Sequence, residues 1–311
     1  MRARRAIRAG AWALVVAGLA APALRRRLPL PPGAVVGIAA AAVPASAVVA
    51  PRGRTRVIVV GCVNMWAYLA AYELPHDDAA TQAQRVRIDY PIAVDRILGL
   101  GELPLLRLLR VGSRPGEINR LQRALTWCHW VWFMVPHATV AYVLWRAPER
   151  CASAAARMYA VFDLGAVFYW AIPTAPPWYA YQRGRLHDRH ETEVRRTMIE
   201  YGERFWGERW PALYDVLGGN PLAAMPSLHF ATSLMAAHLL SEMGPAAGAV
   251  GWSYLVALGL ALVYLGEHYV ADLLGGALLT ETIRRASPAV APAARRLSAR
   301  LDLLSTAARG A

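Results

Sequence analysis

Apolar residues run in long blocks along this chain rather than alternating with polar ones. Blocks at about 57–74, 121–145, 158–175, 226–243 and 247–266 approach the roughly 20 residues that cross a bilayer as a helix, and a shorter one covers 269–283. Two more lie in front. A basic head, "MRARRAIRAG", followed by "AWALVVAGLAAPA", has the form of a signal peptide or signal anchor, with a small-x-small site at Ala21-Pro22-Ala23. An Ala/Val-rich stretch from Ala34 to Ala50 follows it. The pattern predicts an all-α protein: a polytopic membrane helical bundle of six core transmembrane helices plus one or two N-terminal helices. It divides into N-terminal helices (1–56), a membrane domain (57–283) and a basic tail (284–311).

Two connections break the blocks. Residues 75–120 contain "YPIAVDRILGLGELPLLRLLR", an amphipathic stretch suited to the membrane surface. Residues 176–221 contain "DRHETEVRRTMIEYGERFWGERW", which reads as one or two surface helices with Trp206 and Trp210 at the interface. Composition agrees: 56% of residues are hydrophobic, and the mean hydropathy is +0.28. The net charge of +13 would suit nucleic acid only on a basic face of a soluble domain. Here the arginines fall between apolar blocks, so nucleic acid is excluded as a partner. Arg52, Arg54, Arg56, Arg146, Arg150, Arg157, Arg284, Arg285, Arg295, Arg296 and Arg300 share one side of the predicted topology, which should be cytoplasmic. Arg25 and its two neighbours fit that side poorly if the first helix spans. Cys62, Cys128 and Cys151 form no paired motif, which argues against a disulfide framework or thiolate zinc.

Candidate chemistry sits in two apolar blocks. The helix starting near Pro226 leaves the outer face, 247–266 returns, and the helix starting near Tyr269 leaves again. His229 and His268 therefore meet at one membrane face, 39 positions apart in sequence. Asp272, at i+4 from His268, shares its side of a helix. A carboxylate there accepts the proton of one imidazole nitrogen and leaves the other free and more basic. Two histidines at one site allow one to attack and the other to protonate a leaving group. Pro226 and Ser227 look like a helix start, with Ser227 placed to cap or to donate to an oxyanion.

"PSLH" followed by "GEHYVAD" resembles the second and third motifs of the type 2 phosphatidic acid phosphatase superfamily. The wording "AMPSLHFAT" and "YLGEHYVADLLGG" is most similar to its inositol phosphorylceramide synthase-like, or inositolphosphotransferase, branch. "TAPPW", Thr174 to Trp178, also resembles a motif of that branch. The resemblance covers residues 90–283. It implies a helical membrane bundle and a phosphohistidine intermediate, with His268 attacking phosphorus, Asp272 orienting it and His229 protonating the leaving oxygen. Water as acceptor makes a phosphatase and a hydroxyl makes a phosphotransferase; neither needs a metal or an organic cofactor. The chain departs from the wider family at Leu262, where the phosphatases carry Arg six residues before the nucleophile. Their first motif, Lys then Arg-Pro, is matched in spacing by Arg107 with Arg114-Pro115. The charge of a phosphoryl group still needs neutralising. Ser227, Arg114 and Arg183 are the expected phosphate-binding residues, with Arg185 as plausible as Arg183.

Other polar residues read more plainly. His129 and His137 are expected to be packing residues bonded to neighbouring helices. Asp163, in mid-span, should bond a partner such as His129 or Asn64. Glu267 beside His268 raises zinc, but adjacent helical residues point about 100° apart and seldom share an ion. "TWCHWVWF" reads as an interfacial aromatic belt rather than a lipid groove, and the tail after Arg284 as a solvated cytoplasmic segment touching anionic headgroups. The expected activity is on a lipid-linked phosphate at the outer face of the plasma membrane, with membrane lipids as partners. The reading from another class is a non-catalytic lipid-binding or transport protein on the same scaffold.

Overall fold

Helix boundaries fall where proline and glycine interrupt the apolar blocks. The computed structural model describes residues 2–25, 27, 30–112, 116–186, 192–217 and 219–309. Its α-helices are α1 (Arg2–Ala23), α2 (Pro32–Val49), α3 (Arg54–Glu73), α4 (Ala79–Arg85), α5 (Asp89–Leu98), α6 (Pro104–Gly112), α7 (Arg120–Val131) and α8 (Val135–Arg146). They continue with α9 (Pro148–Ala171), α10 (Pro177–Gln182), α11 (Thr197–Trp206), α12 (Trp210–Leu217), α13 (Leu228–Ser241), α14 (Pro245–Tyr264) and α15 (Val270–Arg309). Prolines stand in the first turn of α2, α8, α9, α10 and α14, where their missing N–H costs nothing. No β-strand occurs among the described residues. The chain is an all-α polytopic membrane bundle, as its hydrophobic pattern predicts.

Five helices, α1, α2, α3, α9 and α14, are long and apolar enough to cross a membrane. The remaining predicted spans are built differently. The block at 121–145 is two helices, because residues 132–134 turn and Pro136 restarts the chain in α8. The block at 226–243 is the 14-residue α13, about 21 Å long at 1.5 Å per residue. It lies at the centre of the bundle, with nine residues buried between Leu228 and Leu239. The block at 269–283 is only the start of α15, a 40-residue helix. The segment beyond Arg284, expected to be a solvated tail, continues that helix. It is largely exposed through the 290s, and its last turns pack Ser305 and Ala308 against α1 and α2.

The expected sidedness of the arginines has a counterpart in contacts. At one end Arg56 pairs with Asp302 and Arg157 with Glu242 at the close of α13. The starts of α13 and α15 lie at the other end. Arg25, at that second end, is met by Glu73 at 3.0 Å and Asp77 at 2.6 Å. The charge of Arg25 is thus answered locally.

Near α13 the "TAPPW" segment acts as a tie. Thr174 bridges Arg87 on one side and Ala223 on the other, and the Trp178 N–H donates to the Gly266 carbonyl at 3.2 Å. The loops before α5, α13 and α15 are thereby held together by backbone bonds whose donors would otherwise be orphaned in an apolar setting.

Candidate active site

Two helix starts build the site. Ser227 is the N-cap of α13, its Oγ accepting from the Phe230 N–H at 3.3 Å. His229 follows in the first turn. His268 stands two residues ahead of α15, just after Gly266 turns the chain at φ +73°, a value that disfavours a side chain. Asp272 lies in the first turn of α15. Its Oδ2 accepts from the Tyr269 N–H at 2.9 Å and faces His268 Nδ1 at 3.2 Å. The two starts are pinned together, since the Ser227 N–H donates to the Asp272 carbonyl at 3.0 Å. Gly276 permits this approach: a Cβ there would lie 2.6 Å from the Ser227 carbonyl oxygen.

His229 Nδ1 lies 3.2 Å from His268 Nε2. The carboxylate assigns the protons. With Nδ1 of His268 donating to Asp272, its Nε2 carries a lone pair, and the bond between the rings is donated by His229 Nδ1. His268 thus presents a basic nitrogen and His229 holds a proton directly against it.

Both rings face a cavity of about 190 Å³. Aromatic side chains form much of its wall, including Trp130 at the end of α7, Trp132 from the break after it, Trp178 of α10, and Tyr169, Trp210 and Tyr214. α11 and α12 cover α7 there, with Trp130 stacked on Tyr201 at 5.6 Å and 5.5 Å from Trp210. The polar wall includes Asn220, Glu267, His129 and Arg196. Burial pushes the Glu267 carboxyl up, with Arg196 and His268 drawing it back down.

His229, His268 and Asp272 are brought together as the sequence predicts. Of the expected phosphate-binding residues, neither Ser227 nor Arg183 lines the cavity. The Ser227 side chain is fully buried in its cap and does not line the cavity. Arg183 is exposed and stacked on Tyr179, 5.0 Å from the ring centroid. Arg185 pairs with Asp89, and Arg107 with Glu102. Arg114 lies outside the described residues. His129 is more than packing: its ring sits 4.7 Å from that of His229, and its two nitrogens are buried without a hydrogen-bond partner. His137 also lines the cavity while remaining exposed, and stacks on Phe162 instead of making the expected bond to a neighbouring helix. "TWCHWVWF" is not simply a belt, since Trp130 and Trp132 turn inward and the Trp132 indole donates to Thr232 at 2.9 Å. Trp210, expected at the interface, is buried against Gly202. Asp163 meets Asn64 at 3.2 Å, one of the two expected partners.

Asp95 was not anticipated. Its carboxylate accepts from the Val270 N–H at 3.0 Å and the Ala271 N–H at 2.7 Å, capping α15 from a separate helix. Burial outweighs those two donors and pushes Asp95 up to about 6, with Asp272 adding to the rise. The available signal was an acid on the apolar face of α5, where Pro91 and Ile92 are also buried.

No curated protein and no solved structure gave a significant match. The model of the PAP2 superfamily matches residues 92–283, which hold both histidines, Asp272 and every helix that carries them. Members of that superfamily are in general phosphatases and phosphotransferases that act on lipid phosphates in membranes. A match over more than half of the chain, centred on this pair of helix starts, places the protein in the PAP2 superfamily.

Proposed function

We propose that the protein transfers a phosphoryl group from a lipid-linked phosphate ester through a phosphohistidine on His268. The observation that supports this is the row Asp272 Oδ2, His268 Nδ1, His268 Nε2, His229 Nδ1, with both gaps between residues 3.2 Å and the two histidines on the wall of a cavity. Superfamily membership supports lipid phosphatase or phosphotransferase chemistry in general; the residue roles are our assignment.

The cycle follows from the protons. A phosphoryl group entering between the rings takes the place of the hydrogen bond. The His268 Nε2 lone pair attacks phosphorus, and the bond to the leaving oxygen breaks. His229 Nδ1 gives its proton to that oxygen, so the lipid leaves as an alcohol. Asp272 stays ionised and stabilises the positive charge on the phosphorylated ring. An acceptor, water or a second hydroxyl, then loses its proton to His229 and attacks phosphorus, releasing Nε2.

The residues of the Arg-rich end belong on the cytoplasmic side by the positive-inside rule, which supports our assignment of the cavity to the outer face, in the plasma membrane. Candidate donors are phosphatidic acid, a polyprenyl pyrophosphate or a phosphoinositol lipid. Likeness to the inositolphosphotransferase branch favours transfer to a hydroxyl over hydrolysis. The test is incubation of purified wild type and His268→Ala in detergent with phosphorus-labelled lipid phosphates and phosphodiesters, with EDTA present. Free phosphate from wild type alone identifies a phosphatase; label on a second molecule identifies a transferase. Equal turnover by His268→Ala, or no turnover by wild type, refutes the phosphohistidine and favours a transport or lipid-binding protein.

A further inference from the structure

Phosphoryl transfer spreads negative charge over the equatorial oxygens, and a fixed cation beside them accounts for much of the rate. Leu262, fully buried, occupies the position of the arginine carried by the wider superfamily. Arg107, Arg183 and Arg185 are engaged away from the cavity. Among the described residues, Arg196 is the only arginine lining the cavity that holds His229 and His268.

Arg196 is held as a ligand-binding arginine would be. Its guanidinium carbon stands 3.8 Å from the Trp178 ring centroid, a close cation–π stack. Its Nη2 donates to the Tyr214 hydroxyl at 2.8 Å. These contacts fix the plane of the fork without a carboxylate bonded to it; the acid that feels its charge, Glu267, lines the same cavity with no ion pair to it. The Nε–H is buried and has no acceptor, an arrangement that costs free energy until an acceptor arrives. The neighbouring Arg195, by contrast, is saturated by Glu200 and the Glu117 carbonyl. Trp178 ties this frame to the reacting nitrogens, because its own N–H bonds the Gly266 carbonyl two residues before His268.

We propose that Arg196 grips the phosphoryl oxygens of the substrate, doing from the segment before α11 what position 262 does in the wider superfamily. The stacked fork offers its edge to two oxygens at once, a geometry that carboxylate and phosphate groups match and an ammonium cannot. This inference rests on the phosphotransfer reading, so its test includes a measurement that needs no turnover.

The full-length protein in detergent is titrated with inorganic phosphate, read as a rise in melting temperature. Wild type, His268→Ala, Arg196→Gln and Arg196→Lys are compared. The expected result is a phosphate response in wild type and in His268→Ala. Arg196→Gln should need phosphate about 10–100-fold higher, the loss of one or two charge-assisted bonds. Arg196→Lys keeps the charge but not the planar fork and should fall between, which separates anion binding from a fold held by the aromatic bracket. In lipid turnover, Arg196→Gln should lose about 10²–10³-fold in kcat/KM. A phosphate response equal in wild type and Arg196→Gln, or none in wild type, overturns the assignment. Phosphate binding that depends on Arg196, with no lipid turned over by wild type, would refute the phosphotransfer reading instead.

Discussion

Replacing Asp272 by Asn separates two things that a carboxylate does for a histidine. It fixes the tautomer, and it supplies charge. In many sites the amide destroys both, because its NH₂ turns toward the ring. Here the backbone decides otherwise. The same oxygen, Oδ2, accepts from His268 Nδ1 and from the Tyr269 N–H. An NH₂ at that position would face the Tyr269 donor, so the amide oxygen must take it. The tautomer is kept, and the NH₂ occupies the place of Oδ1, which is buried without a partner. Only the charge is lost. A cationic ring 3.2 Å from a carboxylate gains about 5 kcal/mol at an effective dielectric near 20. The neutral hydrogen bond that remains offsets about 1 kcal/mol of this. The net loss of about 4 kcal/mol predicts a fall in kcat of about 10²–10³-fold. Rapid quenching with labelled lipid phosphate would follow the phosphoenzyme, which is acid-labile and base-stable when the label is on imidazole. Asp272→Asn should form it slowly and to a lower level, because the lost charge also stabilises the phosphorylated ring. Loss as complete as in His268→Ala would refute the argument that Tyr269 holds the amide oxygen. Unchanged kcat would refute the use of the charge.

Four further outcomes follow from the same geometry. His229→Gln should lose most of its activity on alkyl esters and much less on an aryl ester whose leaving oxygen needs no proton; equal losses would remove His229 from its acid role. Asp95→Ala leaves two buried N–H donors at the head of α15 and should cost about 2–4 kcal/mol of stability, measured by thermal unfolding in detergent, with Asp95→Asn recovering part. Because Asp95 is raised from 3.8 to about 6, the folded state binds the extra proton across that window, so stability should fall as pH rises from about 4 to about 6, and Asp95→Asn should flatten the slope. Gly276→Ala sets a methyl 2.6 Å from the Ser227 carbonyl and should lower stability by about 1–3 kcal/mol, with activity falling further if the two helix starts separate.

The sequence made the helices and the reacting trio legible because both depend on local pattern. Apolar blocks mark spans wherever the solvent is lipid, and the i, i+4 spacing of His268 and Asp272 survives any tertiary arrangement. The break at 132–134 was hidden, since "TWCHWVWFMVP" is apolar throughout and only Pro136 marks it. The phosphate-binding residues were hard to read for a different reason. In a chain whose 34 basic residues are all arginine, spacing carries little information about which one faces a ligand. Arg183 and Arg196 both follow "TAPPW", and what distinguishes them is tertiary: one lies over Tyr179 in solvent, the other over Trp178 inside the cavity. Asp95 acts on a helix 175 residues away, a separation no local motif reports.

The bond between His229 and His268 has a consequence for how the site exchanges protons with its surroundings. One proton is lodged between two nitrogens at rest. In the proposed cycle it leaves with the departing lipid alcohol and is replaced by the proton of the incoming acceptor, so the pair ends each turnover as it began. Such a cycle would need no proton wire to the aqueous phase, which suits a pocket partly lined by tryptophan. At rest, the nucleophilic lone pair is also occupied by its neighbour's proton. The site is therefore kept dormant, unreactive toward stray electrophiles, until a group arrives that can separate the two rings.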